Sequence, residues 1–260
     1  QGARQAAETL GLSDTYGQLQ ARCCHTLGTV SRKTVEKLYG RKLRLSASRI
    51  DKQAECRLAY FLHYGLGAKE RKEATVDQLE FGTYIHAVLE HTARDVMEQG
   101  GFWKVSLEET LRIAGEHARN YVAVHFGQLD SSRLNYLLKH NSRELEMIIE
   151  ELWRELSTSR FAPVDFELSF GNDGKLAAIR IPNKAMEAEL RGFVDRVDAW
   201  SNGYTNYYRV VDYKTGKKDF DYCDVFNGIG LQLLLYLFAL KEQGGCLLGE
   251  NAKPAGVLYF

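Results

Sequence analysis

The sequence predicts an α/β (α+β) domain, with helices flanking a mixed central sheet. Three observations carry that expectation. Residues 80–158 are dominated by apolar positions at helical spacing. Residues 164–214 fall into runs rich in Val, Phe, Tyr and Trp, separated by turn signals. A leucine-rich helix near 226–243 then leads to a last strand near 255–260.

In chain order, residues 1–44 are polar with a weak helical pattern and read as a basic N-terminal segment, the remnant of a preceding region; 45–260 read as the main domain. Residues 1–50 hold nine Lys or Arg against three Asp or Glu in a chain of zero net charge, so the remainder is acidic. A basic opening can touch phosphate, and a solvated surface has the same composition. A helix is expected near 46–64. The next, near 80–99, buries a stripe of Phe81, Tyr84, Ile85, Val88 and Leu89. Others follow near 106–127 and 131–158; in the last, Leu134, Leu137, Leu138, Leu145, Ile148, Ile149, Leu152 and Leu156 repeat at helical spacing. Strands are expected near 164–171, 176–181, 187–200 and 205–214. The helix near 226–243 is apolar nearly all round and so buried. The final Ala255-Gly-Val-Leu-Tyr-Phe reads as a core strand that stops abruptly, as in an excised fragment.

The most informative stretch is Leu190-Arg-Gly-Phe-Val-Asp-Arg-Val-Asp-Ala with Arg209-Val-Val-Asp-Tyr-Lys-Thr-Gly. Ser201-Asn202-Gly203 between them is a turn signal. Antiparallel pairing about that turn sets Asp195 opposite a residue near 210, within a diagonal step of Asp212. Alternation puts Asp212 and Lys214 on one face, Val211 and Tyr213 on the other. Carboxylates so close repel unless a cation neutralises them. Lys214 supplies one charge; Mg²⁺ or Mn²⁺, which favour oxygen ligands, supplies two more. Beside a phosphodiester this is the minimal apparatus of a metal-dependent nuclease. An isolated Asp-x-Lys reads better as a surface ion pair of little energetic worth.

Further residues extend the pattern. His86 borders the buried stripe of its helix, and a neutral imidazole there is a competent metal ligand or an ordinary surface histidine. His91, one turn on, reads as surface. Gln232 and Tyr236, four apart, share a helical face, and a buried Gln needs partners, from the backbone or from a site. Glu167 assists through water, contacts Lys214, or lies on the strand surface. Arg196 contacts phosphate or pairs with Asp198. Thr215 and Gly216 permit a tight turn after Lys214.

Gly192-x-x-Asp195-x-x-Asp198, a hydrophobic strand and then Asp212-Tyr-Lys-Thr-Gly together resemble the PD-(D/E)xK nucleases, specifically their RecB-like branch. Gly82-x-x-x-His86 and Gln232-x-x-x-Tyr236 match that family's opening and closing motifs. The stretch from Ser46 through Cys56 to Leu66 is similar to the opening of AddB-type nuclease domains, from bacterial AddAB helicase-nucleases. The resemblance covers about residues 41–260 and implies a restriction-endonuclease-like core with a large helical insert between His86 and Asp195. It implies catalytic roles for Asp195, Asp212, Lys214, Gln232 and Tyr236. It implies that His86, Asp195, Asp212 and the backbone carbonyl of Tyr213 hold Mg²⁺ (or Mn²⁺), with DNA as substrate and an AddA-type helicase-nuclease as partner in double-strand-break processing. In that family one cysteine before the core and three after it ligate a 4Fe–4S cluster. Cys56 matches the first, and the other three are expected beyond Phe260, so this stretch is expected to lack the intact cluster, with Cys56 a free thiol or a small hydrophobe shielded in apolar contacts.

Composition excludes other classes. There is no Gly-x-x-x-x-Gly-Lys-Ser/Thr loop, so ATP hydrolysis is not expected from this chain. No apolar run reaches membrane-spanning length, and no signal-peptide pattern is present. Cys23, Cys24, Cys223 and Cys246 fit neither the cluster pattern nor a disulfide framework, which suits a reducing cytoplasm. Two other functions remain: a catalytically silent scaffold that binds DNA or a partner, and a stand-alone RecB-like exonuclease. The intact Asp195, Asp212 and Lys214 weigh against the first; the long helical insert weighs against the second.

Overall fold

Local signals set the helix starts. Ser31 and Ser46 each accept a hydrogen bond from the backbone N–H three residues on, capping the helices that follow. The computed structural model describes residues 2–23, 30–69, 78–126, 132–171, 174–182, 186–214, 216, 219–249 and 251–260. Contacts divide it into two units, Gln1–Gly40 and Arg41–Phe260. The first holds α1 (Gly2–Thr9), α2 (Ser13–Cys23) and α3 (Arg32–Tyr39).

The second unit begins with β1 (Lys42–Leu45), α4 (Ala47–Glu55) and α5 (Arg57–Tyr60), then a π-helical turn over Phe61–Gly65. Long helices follow: α6 (Gln78–Glu98), α7 (Leu107–Phe126) and α8 (Ser132–Thr158). Next come β2 (Ala162–Phe170), β3 (Ile179–Ile181), β4 (Glu187–Leu190), β5 (Gly192–Ser201) and β6 (Asn206–Asp212). The chain closes with α9 (Tyr222–Phe226), α10 (Gln232–Gln243), α11 (Gly245–Leu248) and β7 (Lys253–Tyr259).

The central sheet runs β2-β5-β6-β7; its first two pairings are antiparallel and the last is parallel, so it is mixed, as expected. Helices cover both faces. Tyr84, Ile85, Val88 and Leu89 of α6 and Ile149, Leu152 and Leu156 of α8 pack with Phe166, Val211 and Tyr213 on one side. Leu233, Tyr236, Ala239 and Leu240 of α10 pack with Leu168, Val194, Val197 and Val210 on the other. Each fully buried aliphatic side chain contributes about 1.5–3 kcal/mol. Leu134, Leu137 and Leu138 of the expected α8 stripe lie outside the residues whose side chains are described.

Several boundaries differ from the sequence expectation, each for a local reason. The helix expected near 46–64 breaks at Cys56, whose backbone is extended (φ −158°, ψ 110°). Of the two states expected for Cys56, the structure has the free thiol and not the one shielded in apolar contacts; the residue is exposed, and its Sγ caps α5 by accepting from the Ala59 N–H at 3.5 Å. The strand expected over 187–200 divides at Arg191: β4 pairs with β1 and β3 in a separate three-stranded sheet, and β5 joins the central one. Only 179–181 of the strand expected near 176–181 is regular. The helix near 226–243 becomes α9 and α10, because Gly228 and Gly230 between them take φ values of 83° and 69° that end helical geometry.

The β5–β6 register is two residues further along than expected. Arg196 faces Val211 and Trp200 faces Tyr207, and just past the end of that ladder Asp195 takes the Tyr213 N–H, next to Asp212. The turn is longer than Ser201-Asn202-Gly203: the Asn202 side chain accepts from the N–H groups of Tyr204 and Thr205, at 3.0 and 2.8 Å, and draws both into the loop. A shift of two preserves the faces.

Candidate active site

Glu167 creates the site's unusual backbone. It is the one non-glycine with positive φ among the described residues, at 48°. Phe166 and Leu168, two apart on β2, would share a face in a regular strand. Here they pack into opposite cores. On β5, Val194 and Val197 are three apart yet pack into the same core. Both strands therefore switch faces at one level. The pairs Phe166–Arg196 and Leu168–Val194 bracket that level and leave Glu167 and Asp195 abreast. A left-handed non-glycine residue costs of order 1–3 kcal/mol, and such strain clusters where side chains must be aimed.

Two hydrogen-bonded groups meet there. In the first, Asp195 Oδ2 accepts from the Tyr213 backbone N–H at 2.7 Å and lies 3.6 Å from His86 Nδ1. His86 Nε2 sits 3.1 Å from the Tyr213 carbonyl oxygen; with its proton on Nε2 the ring donates there and turns its Nδ1 lone pair toward the carboxylates. One ligand atom each from His86, Glu167 and Asp195 lies within 4.8 Å of the others. In the second group, Gln232 Nε2 donates to Asp212 Oδ1 at 2.7 Å and lies 3.3 Å from the Tyr236 hydroxyl. Lys214 Nζ ion-pairs with Asp212 Oδ2 and lies 3.5 Å from Gln232 Oε1. Among the described residues no conventional hydrogen bond reaches the buried Asp212 Oδ2, and the Lys214 ammonium is the group it faces.

Charge is crowded. Burial raises the Asp195 carboxyl above its ordinary range and the Asp212 charge raises it further; His86, the Tyr213 N–H and Lys214 oppose the shift. Burial pushes Glu167 up to about 7, with Asp195 and Glu90 adding and Arg94 opposing. Tyr236 rises to about 12 through burial and stays neutral, as a hydroxyl that can accept from Gln232.

Residues 44–260 match the family profile described as PD-(D/E)XK nuclease superfamily. The chain belongs to that superfamily. Its relatives include the B subunit of the ATP-dependent helicase/deoxyribonuclease of Clostridium novyi (strain NT), 35% identical over 238 residues, which are 89% of this chain and 21% of the relative. The protein of the same name from Acetivibrio thermocellus is 35% identical over 237 residues, 89% of this chain and 20% of that one. That from Clostridioides difficile (strain 630) is 32% identical over 234 residues, 88% and 20%. The chain thus spans about a fifth of the length of the curated relatives it matches.

Among the expected site residues of this PD-(D/E)XK chain, Asp195, His86 and the Tyr213 main chain meet in the first group, and Asp212, Lys214, Gln232 and Tyr236 in the second. The Tyr213 carbonyl is engaged with His86. Gln232 is satisfied by site residues rather than by backbone. Lys214 turns to Asp212 and not to Glu167. Arg196 pairs with Asp198 and is wholly buried, which removes it from any phosphate contact. His91 is exposed, as expected, and stacks on His117. Thr215 lies outside the described residues.

Sequence reasoning left Glu167 out of the ligand set. Its left-handed conformation leaves no compositional mark. The available signal was its place on a strand of the same sheet as Asp195. The donor set of one imidazole and two carboxylates, beside a buried Asp212 oxygen without a hydrogen bond, fits a hard divalent cation. A 4Fe–4S cluster needs four thiolates, and the described residues around Cys56 do not fit one.

Proposed function

We propose that this chain is the DNA-cleaving module of an AddAB-type helicase-nuclease and hydrolyses DNA phosphodiester bonds with Mg²⁺ (or Mn²⁺). One observation carries the reading: Asp195, Asp212, Lys214, His86 and Glu167 converge from β2, β5, the end of β6 and α6 into a single net acidic cluster, with Asp195 and Asp212 buried at its floor. An unrelieved cluster of carboxylates opposes folding, so its presence points to a cation.

His86, Glu167 and Asp195 would hold the ion, with Asp212 as neighbour. When bound, it supplies positive charge to the scissile phosphate oxygens and acidifies attacking water. Gln232 holds the Asp212 carboxylate and keeps one oxygen free of hydrogen bonds. Lys214, part-exposed at the rim, places a compact ammonium where negative charge develops on the phosphate. Tyr236 packs under β5 and orients Gln232.

The relatives are named as B subunits of a helicase/deoxyribonuclease, which supports a place in a larger assembly that works on double-strand breaks, with an AddA-type partner and with ATP hydrolysis carried elsewhere. The free, exposed Cys56 and Cys223 suit a reducing cytoplasm. Digestion of end-labelled single- and double-stranded DNA, with Mg²⁺ and with chelator, tests the reading. Metal-dependent release of label is expected, and its absence at any divalent ion concentration would leave the silent-scaffold alternative.

A further inference from the structure

Arg196 follows Asp195 on β5 and is the largest fully buried side chain among the described residues, 0% exposed. Its guanidinium joins a closed ring of two cations and two anions. Nε and Nη2 donate to the two Asp198 carboxylate oxygens at 2.8 and 3.0 Å, and Nη2 also donates to Glu155 Oε2 at 3.0 Å. Arg209 closes the ring through Asp198 Oδ2 at 2.8 Å and through Glu155. Arg196 and Asp198 are wholly out of water and Glu155 and Arg209 only partly so; burying such charges is expensive, and well-packed apolar residues often replace them at no loss of stability. Stability alone therefore leaves the ring unexplained.

Outside the ring, the guanidinium meets two aromatic side chains among the described residues. Nη1 lies 3.4 Å from the Tyr213 hydroxyl, and the guanidinium carbon lies 5.7 Å from that ring's centroid and 5.8 Å from Phe260's. Tyr213 is the residue whose main chain joins the metal-site groups, giving its N–H to Asp195 and its carbonyl to His86. Two consecutive residues of β5 thus hold Tyr213 from both ends: Asp195 its backbone, Arg196 its ring. We infer that Arg196 is a positioning residue of the metal site, acting through Tyr213. The ring of charges fixes the guanidinium, the guanidinium fixes the phenol, and the peptide groups flanking Tyr213 then present their N–H and C=O at fixed angles to Asp195 and His86. Partners that orient metal ligands in this way typically carry about 10–100-fold in affinity. The inference rests on the nuclease reading above.

The test compares Tyr213→Phe, Arg196→Lys and Leu248→Ala in the full chain. Tyr213→Phe deletes only the hydroxyl and keeps the ring of charges. Leu248→Ala opens a cavity on α11, in the core on the other face of the sheet from Tyr213, and lowers stability. Calorimetric Ca²⁺ titration reads affinity without turnover, and Mg²⁺ titration of cleavage reads kcat apart from metal requirement. Tyr213→Phe should weaken Ca²⁺ binding by about threefold to tenfold and Arg196→Lys by about tenfold or more. Both should restore most of kcat at saturating Mg²⁺. Leu248→Ala should lower Tm and leave Ca²⁺ affinity unchanged. Unchanged Ca²⁺ affinity in the first two variants, or an equal loss in Leu248→Ala, overturns the inference. An unaltered chain that neither binds Ca²⁺ nor cleaves DNA overturns the nuclease reading itself.

Discussion

The Tyr236 ring lies so close to Gly192 that a Cβ on the glycine would sit 2.9 Å from its Cε1, and 2.8 Å from Phe170 Cζ on the other side. Two sequence motifs, one opening β5 and one on α10, therefore meet in a direct contact that only glycine permits. The contact sets the height of β5 against the helix carrying Gln232. Gly192→Ala should destabilise by about 1–3 kcal/mol, the usual penalty for overpacking between rigid rings. It should also reduce cleavage by displacing Asp195 from Asp212. Urea unfolding alongside the nuclease assay checks both.

Asp212→Asn should abolish metal-dependent cleavage and leave a folded protein. The Asp212 charge helps raise the Asp195 carboxyl, so its removal relieves repulsion in the metal-free state. Metal-free Tm should hold or rise while the Ca²⁺-induced increase in Tm shrinks. A large fall in metal-free Tm would mean that the pair stabilises the fold instead.

Lys214→Ala should lower kcat by about 10²–10³-fold, the usual loss when one charge-stabilising donor is removed. DNA binding should change little, since one phosphate contact among several has a modest effect. Lys214→Arg should fail as well, because a planar guanidinium does not replace a compact ammonium beside Gln232. Single-turnover cleavage and a gel-shift titration separate the two quantities.

Glu167 makes the metal-free protein pH-sensitive. Its carboxyl sits at about 7 when folded against an ordinary 4.5. The folded state therefore keeps a proton across a range where the unfolded chain has lost it. This contribution to stability is full below the ordinary value, declines as pH rises through about 7, and is absent above. Melting curves across that window should show the decline, and Glu167→Gln should flatten it. Ca²⁺ should raise Tm most on the alkaline side, where the carboxylate is free to bind. A Glu167→Gln profile matching the unaltered protein would remove Glu167 from the site.

Legibility followed the range of the physics. The Asp195–Asp212–Lys214 grouping was readable because alternation and one turn signal place all three, and an error of two in register leaves faces unchanged. The helices α6, α7 and α8 were readable from period alone. The break at Arg191 was not, since the seat of Gly192 just after it depends on rings from Phe170 and Tyr236 that arrive from distant elements. The pairing of β4 with β1 was hidden for the same reason. Glu167 was placed on a strand but left without a decided role, because a left-handed residue in mid-strand runs against every propensity and only the cross-strand register gives it a partner. Residue type leaves Cys56 either free or shielded, and the capping geometry at the start of α5 decides for the outward, free thiol.

His86 and Tyr213 are joined by a hydrogen bond across 127 residues of chain, and Asp212 is flanked by β7, beyond which the Phe260 N–H donates to the Asp212 carbonyl. Contacts of such sequence separation form late, after loop-closure entropy has been overcome. During synthesis His86 emerges first, then Asp195, Asp212 and β7. The proposed site therefore assembles only when these distant segments meet, and a nascent or partly unfolded chain holds its side chains in separate, inert pieces.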